Sequence, residues 1–275
     1  MPSPGSPQLI DELDGYLDAA PRPDSDPVAV GPFTLFLSRT PWSYYARPTV
    51  GHKDPIGAAD LDTLAAACAE HGVDLEIEWV HEVHPELAGA AADYGLQVSS
   101  HALMSTAAAD VAAPEQIDGF TLRVVDAGDP TLAAGRAVAD VAFRAGGTGV
   151  GPEGVVERDK ALVGLRDGLV AHLRSRAERG LTITAVAESP TDGVVAVGSY
   201  QPMGELAEVL AVATVPSARR RGLAGAVTAT LARRALDAGV RTVLLTAQDD
   251  TVANVYARVG FRRVGTGHAA ERADG

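Results

Sequence analysis

The chain has 275 residues, 46% of them hydrophobic and 21% charged, with a formal net charge of −13. Its length is near that of two average domains, and its composition is that of a globular chain. The single cysteine, Cys68, excludes an internal disulfide and a multi-cysteine zinc site, and no apolar run is long enough to span a bilayer.

The charge is unevenly spread. Residues 1–118 carry nineteen acids and four bases, whereas residues 119–275 carry seventeen acids and nineteen bases. Such a step suggests two units with different tasks. The acidic total argues against nucleic acid as a partner, which would need a basic footprint over much of a face. The N-terminal MPSPGSPQLIDELDG lacks the basic start and apolar core of a secretory signal, so a cytoplasmic protein without membrane attachment is expected.

Residues 1–27 hold six prolines and read as an arm with a short helix, on which Leu9, Ile10, Leu13, Tyr16 and Leu17 recur at helical spacing. FTLFLS at 33–38 has strand composition. A helix is expected at Ala58–His71 with Gly72 as its stop, then a strand at Asp74–Val80, a helix at Pro85–Tyr94 and a strand at Leu96–Met104. Pro114 and its small, polar neighbours mark a boundary. The expected division is an arm (1–27), a smaller α/β domain (28–110), a linker (111–118) and a second α/β domain (119–271).

That second domain opens with a strand at Phe120–Val125 and a helix near Asp129–Arg144. One long helix follows over about Glu153–Arg179. TITAVAE and VVAVGSY flank SPTDG as a hairpin, and a third strand spans Glu205–Val215. Next come a helix at Gly222–Asp237 with Leu223, Val227, Leu231 and Ala235 on one stripe, a strand at Thr242–Ala247, a short helix at Thr251–Val259 and a closing strand at Phe261–Gly265.

The two halves share a pattern. LAAACAEHGVDLEIEWV at 64–80 aligns without a gap with LARRALDAGVRTVLLTA at 231–247, and Gly95 then falls opposite Gly260. Either both halves use an ordinary αβ unit, or the chain is an old tandem duplication.

The segment with most chemical content is AVATVPSARRRGLAG, where a strand runs through a proline-marked turn into a helix. Helical first-turn amides lack intrahelical acceptors and carry the positive end of the dipole. Gly222, Ala224 and Gly225 leave room for an anion to approach them, and Arg219, Arg220 and Arg221 add charge; pyrophosphate fits such a site. No glycine-lysine-serine or -threonine follows, so this is not a nucleotide-triphosphate P-loop.

Arg219, Gly222 and Ala224 match a glutamine or arginine, two residues, glycine, one residue, then glycine or alanine. YARVGF at 256–261 matches a tyrosine, three residues, glycine and an aromatic. In these motifs and in its order of elements the second half resembles the GNAT superfamily of acetyl-CoA-dependent N-acetyltransferases. The resemblance implies an α/β fold with a mixed, mostly antiparallel sheet flanked by helices. It implies a pantetheine arm beside Ala213, Thr214 and Val215, and a pyrophosphate on the amides of Arg220, Arg221, Gly222, Leu223, Ala224 and Gly225. It implies Tyr256 as the acid for the departing thiolate and Glu208 as the base for the amine. The expected activity is direct acetyl transfer from acetyl-CoA, a co-substrate, to a primary amine of a small molecule or peptide, without a metal. The family's usual asparagine, seven residues before the tyrosine, is here Asp249, and Asp249 or Asp250 reads as the cap of the short helix.

The first half has GHKDPIGAAD in the place of the arginine-glycine turn and Ala91 in the place of the tyrosine. It reads as a degenerate, silent GNAT-like unit that covers the acceptor site or forms a homodimer contact. His81 and His84, three apart, lack the His-Glu-x-x-His spacing of a zincin, and Cys68 reads as a buried core residue. A non-catalytic acyl-CoA sensor or scaffold is the alternative function.

Overall fold

A computed structural model describes residues 5–272. It divides into two compact units, one formed by residues up to Met104 together with those from Arg263, the other by Ser105–Arg262. Among the described residues no helix is long and apolar enough to cross a membrane.

The first unit begins with α1 (Pro7–Ala19), whose N-terminus is capped by the Ser6 side chain on the Leu9 amide. Then come β1 (Ser25–Val30), β2 (Phe33–Ser38), β3 (Ala46–Pro48), α2 (Ala58–His71), β4 (Glu76–Val80), α3 (Leu87–Asp93) and β5 (Leu96–Thr106). The second unit runs β6 (Thr121–Val125), α4 (Thr131–Ala145), α5 (Val155–Val163), α6 (Asp167–Glu178), β7 (Ile183–Ser189), β8 (Gly193–Met203) and β9 (Leu206–Thr214). It continues with α7 (Leu223–Asp237), β10 (Thr242–Ala247) and α8 (Asp250–Val259). The last strand, β11 (Arg262–Arg272), lies in the sheet of the first unit, in the order β1-β2-β3-β4-β11-β5. It runs antiparallel to β4, with His268 opposite Trp79. The fold is thus mixed α/β with mostly antiparallel strands.

Three features differ from the sequence reading. The stretch expected as an arm is built into the first unit. Leu9, Ile10, Leu13 and Tyr16 of α1 are buried, and Pro27 sits in β1 at the sheet edge, where its missing N–H leaves no ladder bond unmade. The single long helix is two, α5 and α6, parted at Gly164-Leu165-Arg166, and Val163 beside the break is 89% exposed. The strand expected to close the second half at 261–265 extends to Arg272 and pairs with β4 of the first unit instead.

In the second unit the strand order is β6-β7-β8-β9-β10, antiparallel except for the parallel pair β9–β10. Helices cover both faces. A Cβ on Gly135 of α4 would lie 2.9 Å from a Val197 methyl, and one on Gly198 would lie 2.9 Å from both Leu231 and Val227 of α7. Val197 and Gly198 are consecutive, so their Cα substituents point to opposite faces of the pleat, and each face has a glycine where a helix seats closest. The expected α7 stripe is buried along its length: Leu223, Val227, Leu231 and Ala235 are at most 2% exposed.

Gly95 and Gly260, paired in the internal alignment, both follow a helix with positive φ, +92° and +108°. Their surroundings differ. Nothing lies within 4 Å of a Cβ on Gly95, whereas one on Gly260 would collide with the Asp110 carbonyl. Gly95→Ala is therefore expected to cost about 1 kcal/mol, the left-handed penalty alone. Gly260→Ala is expected to cost about 3 kcal/mol or more, because backbone must also move. Urea midpoints of the two variants test this difference.

Candidate active site

The parallel pair β9–β10 is short. Thr242, Val243 and Leu244 face Leu206, Ala207 and Glu208, and beyond Glu208 the two strands form no further pair. A bulge in β9 accompanies the separation. Leu210 pairs with Ser199 and Ala213 with Val197, so Ala211 and Val212 together oppose the single residue Gly198. Ala211 has φ of 53°, and a two-against-one step of this kind bends a strand. One edge of residues 209–214 stays paired with β8 while the other has no partner in β10.

At the end of that edge the chain makes a short 3₁₀ turn at Pro216–Ala218 and then three arginines. Arg220 (φ 66°) and Gly222 (φ 82°) are both left-handed, which turns successive amides toward one side before α7 begins. The first helical bond runs from the Ala226 amide to the Gly222 carbonyl. Among the described residues the amides of 220–225 have no acceptor, and no side chain caps the helix. These donors, with the positive end of a fifteen-residue helix behind them, are an unsatisfied helix start of the kind that attracts anions.

The three arginines divide their tasks. Arg220 and Arg221 are exposed, and the Arg221 guanidinium lies 5.5 Å from the centre of the Phe120 ring. Arg219 turns inward. It donates to the carbonyls of Ala142 (2.9 Å), Gly146 (2.9 Å), Gly149 (3.1 Å) and Thr214 (3.2 Å). Its side chain, read from the sequence as charge for the anion, is spent on backbone instead.

Of the residues expected beside an extended ligand arm, Ala213 pairs with Val197 and the Val215 amide donates to Val195. Thr214 alternates to the open side of the ladder. Its Oγ1 is buried without a hydrogen-bond partner among the described residues, a polar atom that a ligand along that edge could satisfy. Glu208 is half-buried at the last β9–β10 pair, where the strands part. Tyr256 comes from α8, whose Val255 and Val259 lie 3.9 Å from where a Gly225 Cβ would stand, so its helix packs on the first turn of α7. Burial of the ring pushes the Tyr256 phenol up to about 12. Of the two acids at the start of α8, Asp249 is the cap, accepting the Val252 amide, while Asp250 is the first residue of the helix.

The first unit has the corresponding parts in closed form. α2 starts at Gly57, and the Asp60 carboxylate accepts the Gly57 amide at 2.9 Å, so the helix end is capped by its own negative charge. Ala91, opposite Tyr256 in the alignment, is fully buried. β3 meets β4 through the pair Ala46–Ile77, and next to it Arg47 is 2% exposed and bonded to Asp14 at 3.0 Å. Glu78 is half-buried there, and burial, opposed by Arg47, raises its carboxyl to about 7. His84 stacks on His52 and pairs with Glu86 at 3.6 Å. Among the described residues no group of three or more metal-binding side chains converges.

The second unit's sheet, its parted parallel pair and its uncapped helix define the fold of the GCN5-related N-acetyltransferases. Residues 195–269 match the family model described as FR47-like protein. Over its length the chain is similar to a GCN5-related N-acetyltransferase from Kribbella flavida, at 21% identity and TM-score 0.72, covering 97% of this chain and 96% of that one. It is similar to a tandem GNAT protein from the clavulanic acid biosynthesis pathway, at 18% identity and TM-score 0.57, covering 90% and 80%. A GCN5-related N-acetyltransferase-like protein from Streptococcus suis matches at 15% identity and TM-score 0.55, covering 95% and 99%. No curated protein matches the sequence.

The Glu78 carboxyl gives a pH test of the first unit. Its folded value near 7 lies above the ordinary value of about 4.3, so the folded state holds the proton more tightly. The contribution of Glu78 to stability is therefore full below about pH 4.3 and is lost as pH rises through about 7. Glu78→Gln removes this dependence, and at pH 8 it is expected to gain about 1–3 kcal/mol over the parent relative to pH 4, after allowance for solvent. Urea titrations at the two pH values read the difference.

Proposed function

We propose that the chain is an N-acetyltransferase that moves the acetyl group of acetyl-CoA to a primary amine by direct attack. The observation that carries this reading is the uncapped α7 N-terminus at the end of the unpaired β9 edge. It offers a diphosphate a row of free amides and a thioester arm an open backbone. The unpartnered Thr214 Oγ1 fits the same occupant. Acetyl-CoA supplies an activated acyl carbon and a thiolate leaving group.

The chain's own residues supply orientation and protons. The 220–225 amides hold the diphosphate, and 213–215 aligns the arm through backbone contacts. Glu208, where the strands part, takes the proton that the amine must lose. Tyr256 donates to the departing sulfur. A phenol near 12 is a weaker acid than a thiol of about 8.5, so full transfer is uphill and the Tyr256 O–H acts chiefly as a positioned hydrogen-bond donor. An acyl-enzyme on cysteine is disfavoured. Cys68 is the single thiol of the chain, 2% exposed in the core of the other unit, and burial raises its pKa.

Calorimetry is expected to find one acetyl-CoA per chain, since the first unit's helix end is self-capped. Gly222→Glu should abolish binding, and Gly222→Ala should weaken it by only about tenfold through left-handed strain. Equal affinity of Gly222→Glu and the parent would remove the cradle from the reading.

Thiol release with a panel of amines, aminoglycosides and peptide N-termini tests transfer itself. Tyr256→Phe is expected to keep acetyl-CoA affinity and lower kcat by roughly 10²–10⁴. Because Tyr256 stays protonated to about 12, kcat should rise as the amine deprotonates and show no falling limb up to pH 10. Tight binding with no amine ever acetylated would favour the sensor reading.

A further inference from the structure

Arg219 occupies the first place of the anion-binding motif, yet its guanidinium faces away from the cradle. Three of its four acceptors, Ala142, Gly146 and Gly149, lie at the end of α4 and in the connector to α5. The fourth, Thr214, is the last residue of the β9 edge. Two backbone bonds join the same pieces, from the Gly151 amide to Pro216 and from the Ser217 amide to Glu153. At Gly154 a Cβ would fall 2.5 Å from the Ser217 hydroxyl, so no larger residue fits there without movement. The connector 146–154 and the turn 214–219 are therefore one body, with Arg219 as its main fastener.

α7 and its cradle lie on one face of the sheet, and α4 lies on the other. A cofactor held at the α7 end leaves the α4 face for the approach of an acceptor. The connector leaves α4 on that side with Phe143 and Val150 exposed on either side of Gly146 and Gly149. We infer that Arg219 is a positioning residue for the acceptor: it fixes the connector as a wall of the amine site and ties that wall to the turn that carries the cofactor amides. The inference rests on the proposed transferase reading for its substrate, but the clamp itself can be judged without turnover.

Hydrogen exchange of peptides covering 142–151, in the full chain with and without acetyl-CoA, is the first measurement. In Arg219→Gln the connector is expected to exchange at least about tenfold faster than in the parent, and acetyl-CoA should no longer slow it. Arg219→Lys, with one donor group for four carbonyls, should fall between them. Acetyl-CoA affinity by calorimetry should stay within about threefold in both variants, since no cradle amide is lost. With the amine that scores in the panel above, KM should rise about tenfold or more and kcat change by less than about threefold.

Unchanged connector exchange in both variants would overturn the clamp. A fall of about thirtyfold or more in acetyl-CoA affinity, with acceptor KM unaltered, would make Arg219 a cofactor ligand and equally overturn it. A parent chain that binds no acetyl-CoA at all would sink the transferase reading instead, while the exchange rates of the ligand-free proteins still decide whether Arg219 fastens the connector.

Discussion

The second unit is organised by a parallel strand pair that stops pairing after three residues. A sheet interior normally leaves no backbone donor or acceptor unmade, since each one buried without a partner costs about 1–3 kcal/mol. Here β9 leaves β10 at Glu208, bends at the Ala211–Val212 bulge and runs on with one edge unmatched. The neighbouring features make that opening possible. Gly198 opposite the bulge lets α7 come down onto the sheet, and Arg219 holds the strand's end from outside. Val255 and Val259 of α8 pack beside Gly225 at the helix start, on the helix that carries Tyr256.

The two halves differ by little between an uncapped helix start and a capped one. Each has a helix that starts at a glycine, follows a strand and packs beside a second short helix. In α7 the first turn has no acid, whereas α2 has Asp60 at the third position, and its carboxylate closes the helix end. A carboxylate there both satisfies an amide and repels an incoming phosphate. Beside the single β3–β4 pair Arg47 is bonded to Asp14, and the half-buried Glu78 is held well above its usual range.

Much of the architecture was legible because helix periods and glycine stops are local. Ala58–His71 and Thr242–Ala247 have the bounds expected from the stripe and from Gly72 and Gly239. What escaped was non-local. β1 looks like a proline arm until its pairing with β2 is known, and three-residue β3 has no period of its own. The α5–α6 break turns on Gly164 within a polar run, where neither side of the break is strongly apolar. At the candidate site, spacing located the arginine-glycine turn but not the direction of any guanidinium. Three adjacent arginines look alike in sequence, and the carbonyls that separate Arg219 from Arg220 and Arg221 lie about seventy residues earlier in the chain.

The placement of β11 has a consequence for biosynthesis. The strands of the first unit need residues 262–272 between β4 and β5, yet those residues emerge only after nearly the whole of the second unit. At the usual elongation rate of about 5–20 residues per second, β4 and β5 wait on the order of 10–30 s for the strand that joins them. During that interval an open strand edge is exposed on the nascent chain, where Glu76 and Glu78 alternate with Ile77 and Trp79 along β4. Charges at every second position are what natural sheets use to keep such edges from pairing with a neighbour. The carboxylates that weaken the finished unit at neutral pH would then guard it while it is still incomplete on the ribosome.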